Sequence, residues 1–301
     1  MDFLAPTSWA EALETKAAHP DALPVAGGTD VMVELNFDHR RPAALLDLTR
    51  VPELQEWSRD SGRIRLGAGV TYSRVITELG GALPGLAMAA RTVGSPQIRN
   101  RGTVGGNLGA ASPAGDSHPA LLAAFAEVEI ASVRGTRVVP VAEFFTGVKR
   151  SVLEPDELIA AVRVTPPAGP QQFCKIGTRN AMVIAVSAFG FALHPDRRVV
   201  GTGIGSAAPT PRPAPEAAAF LAGELEAAGL WDSRGPLPEG LATDFGRRVR
   251  DAAAPIDDVR GSAAYRLHAL SVMARRAATW AWDSYRNDDG TDGTDDRSAA
   301  A

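Results

Sequence analysis

Two glycine pairs stand out among the residues able to do chemistry. One is Gly27-Gly28 in "VAGGTDV", Val25, Ala26, then Thr29, Asp30 and Val31 around it; the other is Gly105-Gly106 in "TVGGN", flanked by Thr103, Val104 and Asn107. Each has an apolar or small lead-in, two glycines, and then short side chains that donate and accept hydrogen bonds. Without Cβ atoms, adjacent glycines let backbone N–H groups turn into one concavity, a nest that holds phosphate oxygens without cationic side chains. One such pair is an ordinary turn signal. Two of like composition can wrap a diphosphate, and the residues themselves leave the turn and the nucleotide site both open.

The second pair lies in "RNRGTVGGNLGAASPAGDSHP", from Arg99 to Pro119, which has five glycines, two prolines and no period of helix or strand. Asp116, near its end, stands before a helical run, where a carboxylate serves as an N-cap. The same carboxylate can accept from the hydroxyls of a sugar or ribityl chain, and the two roles are compatible.

Other signals fail their own tests. "GTGIGSAAPTPRP" is G-x-G-x-G, not G-x-G-x-x-G, and Pro209, Pro211 and Pro213 forbid the helix that would receive a pyrophosphate. Neither a P-loop nor a G-x-S-x-G elbow occurs. His118 has no histidine or cysteine neighbour at metal-ligand spacing. Lys175 and Arg179, beside a buried strand, are either surface charges or the lining of an interdomain cleft. With no acid-base or nucleophilic constellation, chemistry here must come from a cofactor.

The elements that must position these residues read as α+β. Ser8 and Glu11 form a capping-box pattern that opens a helix at Trp9. "ALPVAGGTDVMVEL" reads as a brief strand broken by the glycine pair, "PAALLDLT" and "GRIRLGAGV" as strands, and "SRVITEL" and "PGLAMAART" as helices. "PALLAAFA" is a helix, "EVEIASVRGTRVVPV" a hairpin, and "PDELIAAVRV" a loop feeding a strand. The proline-rich "TPPAGPQQ" marks a linker, which divides the chain into residues 1–168 and 172–285. "MVIAVSAFGFAL" and "VVGTGIGSA" are paired strands, followed by helices in "APEAAAFLAGELEAAG" and from Ser262 to about Tyr285. Residues 286–301, polar and acidic, are expected to be a disordered tail.

At 301 residues, 45% of them hydrophobic, the chain can fill more than one core. A balance of 31 basic against 35 acidic residues argues against nucleic acid or an anionic membrane as a partner held by charge. A single cysteine, Cys174, can build neither a disulfide nor an iron-sulfur cluster, so any cluster belongs to a partner. No apolar run reaches the ~20 residues of a membrane span, and cytoplasmic residence is expected.

Taken together, "PVAGGTDVMVELN", "PQIRNRGTVGGNLGAASPAGDSHPALLA", "FFTGVKRSVLEPDELIAAVRV", "KIGTRNAMVIAVS" and "DDVRGSAAYRLHALSVMARRA" resemble, in order over residues 1 to 285, the FAD-binding medium subunit of the molybdenum hydroxylases, the xanthine dehydrogenase and carbon monoxide dehydrogenase type. The resemblance implies an N-terminal FAD domain of two α+β subdomains, of the PCMH or vanillyl-alcohol oxidase kind, and a smaller α+β C-terminal domain of the CO dehydrogenase flavoprotein type. It implies that Val25 to Val31 and Thr103 to Asn107 hold the FAD diphosphate and that Asp116 meets its polar chain. By the same likeness Ile159 contributes a backbone contact on the flavin side and Lys175 lies near the isoalloxazine ring. A large molybdenum-cofactor subunit would hydroxylate the substrate and a small subunit would carry [2Fe-2S] clusters, in a dimer of heterotrimers. This chain would pass electrons from FAD to NAD, oxygen or a quinone. The alternative is a stand-alone FAD oxidoreductase with its own substrate. Val93 departs from the animal xanthine dehydrogenases, which have an aromatic residue there.

Overall fold

A computed structural model describes residues 1–288. The chain opens with β1 (Asp2–Leu4) and α1 (Trp9–Ala18), whose N-cap Ser8 accepts from the Glu11 N–H while the Glu11 carboxylate turns back to Thr7. β2 (Leu23–Val25), α2 (Val31–Asn36) and β3 (Ala44–Asp47) follow. Residues after the first glycine pair are thus helical, not the second half of a broken strand. The reason lies in the pairing: β1, β3 and β2 form one sheet in which β2 runs parallel to β3, and parallel neighbours require a crossover.

A 3-10 turn (Pro52–Leu54) leads to β4 (Trp57–Asp60), β5 (Arg63–Gly67), α3 (Tyr72–Glu78) and α4 (Pro84–Arg91). The aperiodic stretch then folds largely into short helices, α5 (Pro96–Arg101), α6 (Val104–Ala110) and α7 (Ser117–Ala123). Each spans about two turns or fewer, too little for a 3.6-residue apolar period to show. Their starts are written in caps instead: Ser95 Oγ accepts from Ile98 and Thr103 Oγ1 from Gly106.

β6 (Glu127–Ser132) and β7 (Gly135–Pro140) form the expected hairpin. After α8 (Val141–Phe144) and the small pair β8 (Phe145–Gly147) and β9 (Arg150–Ser151), β10 (Leu158–Val164) enters as the central strand of an antiparallel sheet ordered β4-β5-β10-β6-β7. Its nearly unbroken apolar run suits burial on both faces. Leu66, Val104, Leu108, Leu121 and Val162 sit in the first hydrophobic core, which this sheet and the helices enclose.

Beyond the linker, β11 (Gln171–Ile176), β12 (Ser187–His194) and β13 (Val199–Gly205) make an antiparallel sheet. Against it lie α9 (Pro215–Ala227) and α12 (Ala263–Asn287), with α11 (Glu239–Asp251) packed on both and reaching the sheet through Phe245, and α10 (Leu230–Ser233) beside α9. Phe189, Phe191, Phe245 and Trp282 are fully buried in this second core. α12 starts at the expected cap, Ser262, and continues through Asn287, two residues into the segment expected as a disordered tail. The rest of that expectation, residues 289–301, lies outside the described residues.

Candidate functional site

The two glycine elements meet. A Cβ on Gly27 would lie 1.9 Å from the Arg101 carbonyl oxygen, so the first loop rests on the main chain that ends α5. A Cβ on Gly102 would come within 3.5 Å of Thr29 Oγ1, and one on Gly106 within 3.8 Å of Ala26 Cβ. Ala26 to Thr29 and Arg101 to Gly106 therefore share one surface built mostly of main chain. Gly28 adopts φ +73°, a conformation that L side chains rarely take, and it carries the chain from β2 into the crossover. Val25 ends β2, Val31 opens α2, and exposed Asp30 stands at the α2 N-cap without a side-chain capping bond.

Their donors differ. No main-chain N–H from Ala26 through Asp30 finds an acceptor among the described residues, which leaves a run of five unpaired donors. In the second element the N–H groups are engaged: Gly105 gives to Ala68 O at 3.2 Å, Gly106 to Thr103 Oγ1 at 2.9 Å and Asn107 to Thr103 O at 3.0 Å. Thr103 to Asn107 is thus the capped first turn of α6, not a free nest. Gly105 is required by close approach, since its Cβ would lie 2.4 Å from Ala68 Cβ. Val104 is buried in the core beneath.

Asp116 does not cap α7. Its backbone is helical, its side chain makes no capping bond, and its Oδ2 accepts from Lys175 Nζ at 2.6 Å. Both side chains are about nine-tenths buried or more. A carboxylate so placed gains more from a full cation than from a neutral N–H, and Lys175 would otherwise be a buried charge with no counterion. Lys175 also donates to Thr92 O at 3.2 Å. Burial pushes the Asp116 pKa up to about 6 against the opposing pull of Lys175. Its other oxygen, Oδ1, is buried with no hydrogen-bond partner among the described residues. Of the two readings for Lys175 and Arg179, Lys175 is neither surface nor open cleft but half of a buried ion pair. Arg179 is exposed and donates to the carbonyls of Ala181 and Met182 in its own loop.

Three residues that sequence reasoning did not place at the site join these parts. Ser117 donates to Asn107 Oδ1 at 2.7 Å, which leaves the amide NH₂ as the remaining hydrogen-bonding group of the Asn107 side chain. His118, completely buried, bonds through Nε2 to Asn107 O at 3.2 Å, and burial lowers its pKa to about 4. As the carbonyl can only accept, Nε2 carries the proton. Tyr72 is buried next to Ser117 and Gly102, and its hydroxyl meets no hydrogen-bond geometry among the described residues. "GDSHP" held a signal for Ser117 and His118, being contiguous with Asp116; nothing local marks Tyr72. Ile159 is buried in β10, its Cδ1 3.8 Å from where a Gly109 Cβ would sit, so it packs against α6.

The arrangement fits a ligand rich in acceptors at one end and hydroxyls at the other. Five free N–H groups suit phosphate oxygens, and the unpartnered Asp116 Oδ1 and Tyr72 hydroxyl suit a polyol chain.

Residues 1–167 match the family model for the FAD binding domain in molybdopterin dehydrogenase, and residues 172–281 that for the CO dehydrogenase flavoprotein C-terminal domain. A putative xanthine dehydrogenase FAD-binding subunit of Escherichia coli K12 is 31% identical over 279 residues, 89% of this chain and 91% of that one. Carbon monoxide dehydrogenase from Oligotropha carboxidovorans superposes with a TM-score of 0.85 at 26% identity, over 94% of this chain and 98% of that one. Quinoline 2-oxidoreductase from Pseudomonas putida 86 gives 0.84 at 27% identity, over 95% and 98%. With both domains matched in order along the chain and a relative of 31% identity aligned over nine-tenths of its length, the chain belongs to the FAD-binding subunits of the molybdenum-containing dehydrogenases.

Proposed function

We propose that the chain holds FAD across the joined glycine elements and serves as the electron outlet of a complex with a large molybdenum-cofactor subunit and a small [2Fe-2S] subunit, assembled as a dimer of heterotrimers. The observation that carries the reading is the run of unpaired N–H groups from Ala26 to Asp30 beside Gly106 and Asn107. These donors take the diphosphate oxygens, with the Asn107 amide as a further donor. Asp116 Oδ1 accepts from a hydroxyl of the cofactor's chain, while Lys175 keeps the carboxylate charged and in place. Ile159 supplies main chain on the flavin side. FAD, when bound, supplies a carrier between one-electron clusters and an acceptor such as NAD, oxygen or a quinone. Substrate meets molybdenum in another subunit, so the residues of this chain bind, orient and exclude water.

The test is isolation of the native complex. The expected result is a yellow assembly with a flavin band in the region of 450 nm, containing all three subunits and reduced by a purine, aldehyde or N-heterocycle. A flavin-bearing chain that never associates with the other two would establish the stand-alone oxidoreductase in its place.

A further inference from the structure

The G-x-G-x-G of "GTGIGSA" is no nucleotide fingerprint, yet its spacing has a use. In β13 every second residue faces the same side, so Gly201, Gly203 and Gly205 line one face while Thr202 and Ile204 point away from it. β12 adds Gly190, paired directly with Gly203. Onto this bare face lies α7, main chain against main chain. A Cβ at 201 would meet Ala123 O at 1.8 Å; at 203 or 190, Pro119 O at 2.2 Å; at 205, the Pro119 ring at 2.8 Å. No residue but glycine admits the helix at this distance.

The register ties this seat to the ion pair. Gly205 is opposite Ala188 and Ala188 is opposite Lys175, so the three form one row across β13, β12 and β11 on a common face. Pro119, in the first turn of α7, rests at the Gly205 end of that row, and Asp116 stands three residues before it. Lys175 therefore meets Asp116 because the glycine face sets where α7 begins. At the opposite end His194 donates to Ala123 O at 3.0 Å and fixes the helix lengthwise.

We infer that Gly190, Gly201, Gly203 and Gly205 are positioning residues. By seating α7 flush on the second sheet they form the buried Asp116–Lys175 pair and aim the unpartnered Asp116 Oδ1, and through Ser117 the Asn107 amide, at the candidate site. The first half of this concerns the chain alone; the second rests on the FAD reading above.

The chain has three lysines, which makes the pair directly readable. Lys149 is exposed, Lys16 is buried in another contact, and Lys175 is buried in the pair. Full-length protein, with and without FAD, is treated with an amine-acylating reagent and modification is followed by mass spectrometry. In the wild type Lys149 reacts fast, and Lys16 and Lys175 slowly. In Gly203→Ala and Gly205→Ala, checked for folding by circular dichroism, Lys175 modification should rise about tenfold with Lys16 unchanged. Gly223→Ala, with nothing within 4 Å of its new methyl, should match the wild type. Should Gly203→Ala fail to fold, Gly205→Ala decides, because its methyl meets only a proline ring and the Ala188 Cβ. Lys175 as protected in the folded variants as in the wild type overturns the inference. FAD affinity in the same variants is expected to fall about tenfold; increased labelling with unchanged affinity would refute the aiming role while leaving the seat intact, and a wild type that binds no FAD would refute the FAD reading itself.

Discussion

Gly27 lies flush on the carbonyl of Arg101, so close that a Cβ would stand 1.9 Å from the oxygen. This contact joins the two glycine elements, and it depends on a missing methyl group. Gly27→Ala should force the loops apart and abolish FAD retention on gel filtration. Gly28→Ala meets no atom closer than 3.6 Å and faces only its φ of +73°. Its expected cost is about 1 kcal/mol of stability, with partial retention of cofactor.

Thr103 caps α6 where the two glycine elements meet. Thr103→Val removes the acceptor of the Gly106 N–H while keeping the shape, and should cost about 1 kcal/mol by urea denaturation. Thr103→Ser should keep most of that stability.

Lys175→Met leaves the Asp116 carboxylate buried without its cation, and the expected loss is about 3 kcal/mol. Adding Asp116→Asn should return part of it, because the uncompensated charge is gone. A double-mutant cycle in chemical denaturation measures the coupling; additive effects would show that the pair is not a unit.

His118 and Asp116 titrate with opposite signs. Burial lowers the His118 pKa from 6.5 to about 4, so its contribution to stability is present above pH 6.5 and is lost as pH falls through about 4. Asp116 is raised from 3.8 to about 6, so its contribution is present below pH 3.8 and is lost as pH rises through about 6. Denaturation midpoints of His118→Phe should fall less steeply than wild type between pH 6.5 and 4. Asp116→Asn should flatten the opposing limb between pH 4 and 6.

Much of the scaffold was legible locally. Ser8 and Ser262 act within a few residues, and "LIAAVRV" and the "SAFGFAL" part of "MVIAVSAFGFAL" are short unbroken apolar runs of the kind a strand buried on both faces shows, so sequence alone is enough to place them. α2, α5 and α6 escaped because six or seven residues display too little of a helical period, and α11 because its long polar face hides the apolar one. The Thr103 to Asn107 element was visible as special, but whether its N–H groups were free depended on Ala68, which pairs from another segment.

By itself the sequence determined where the backbone can approach closely or turn: the glycines at 27, 28, 105, 201, 203 and 205 are properties of single positions. Only the tertiary structure decided what those positions face. Asp116 looked like a cap, and it became the partner of Lys175, 59 residues away, because strand pairing and the glycine seat bring β11 beneath α7. Tyr72 joined the site for the same kind of reason. A cap closes within three or four residues and so is written in the local chain, whereas a buried charge takes whichever counterion the packing of distant elements delivers.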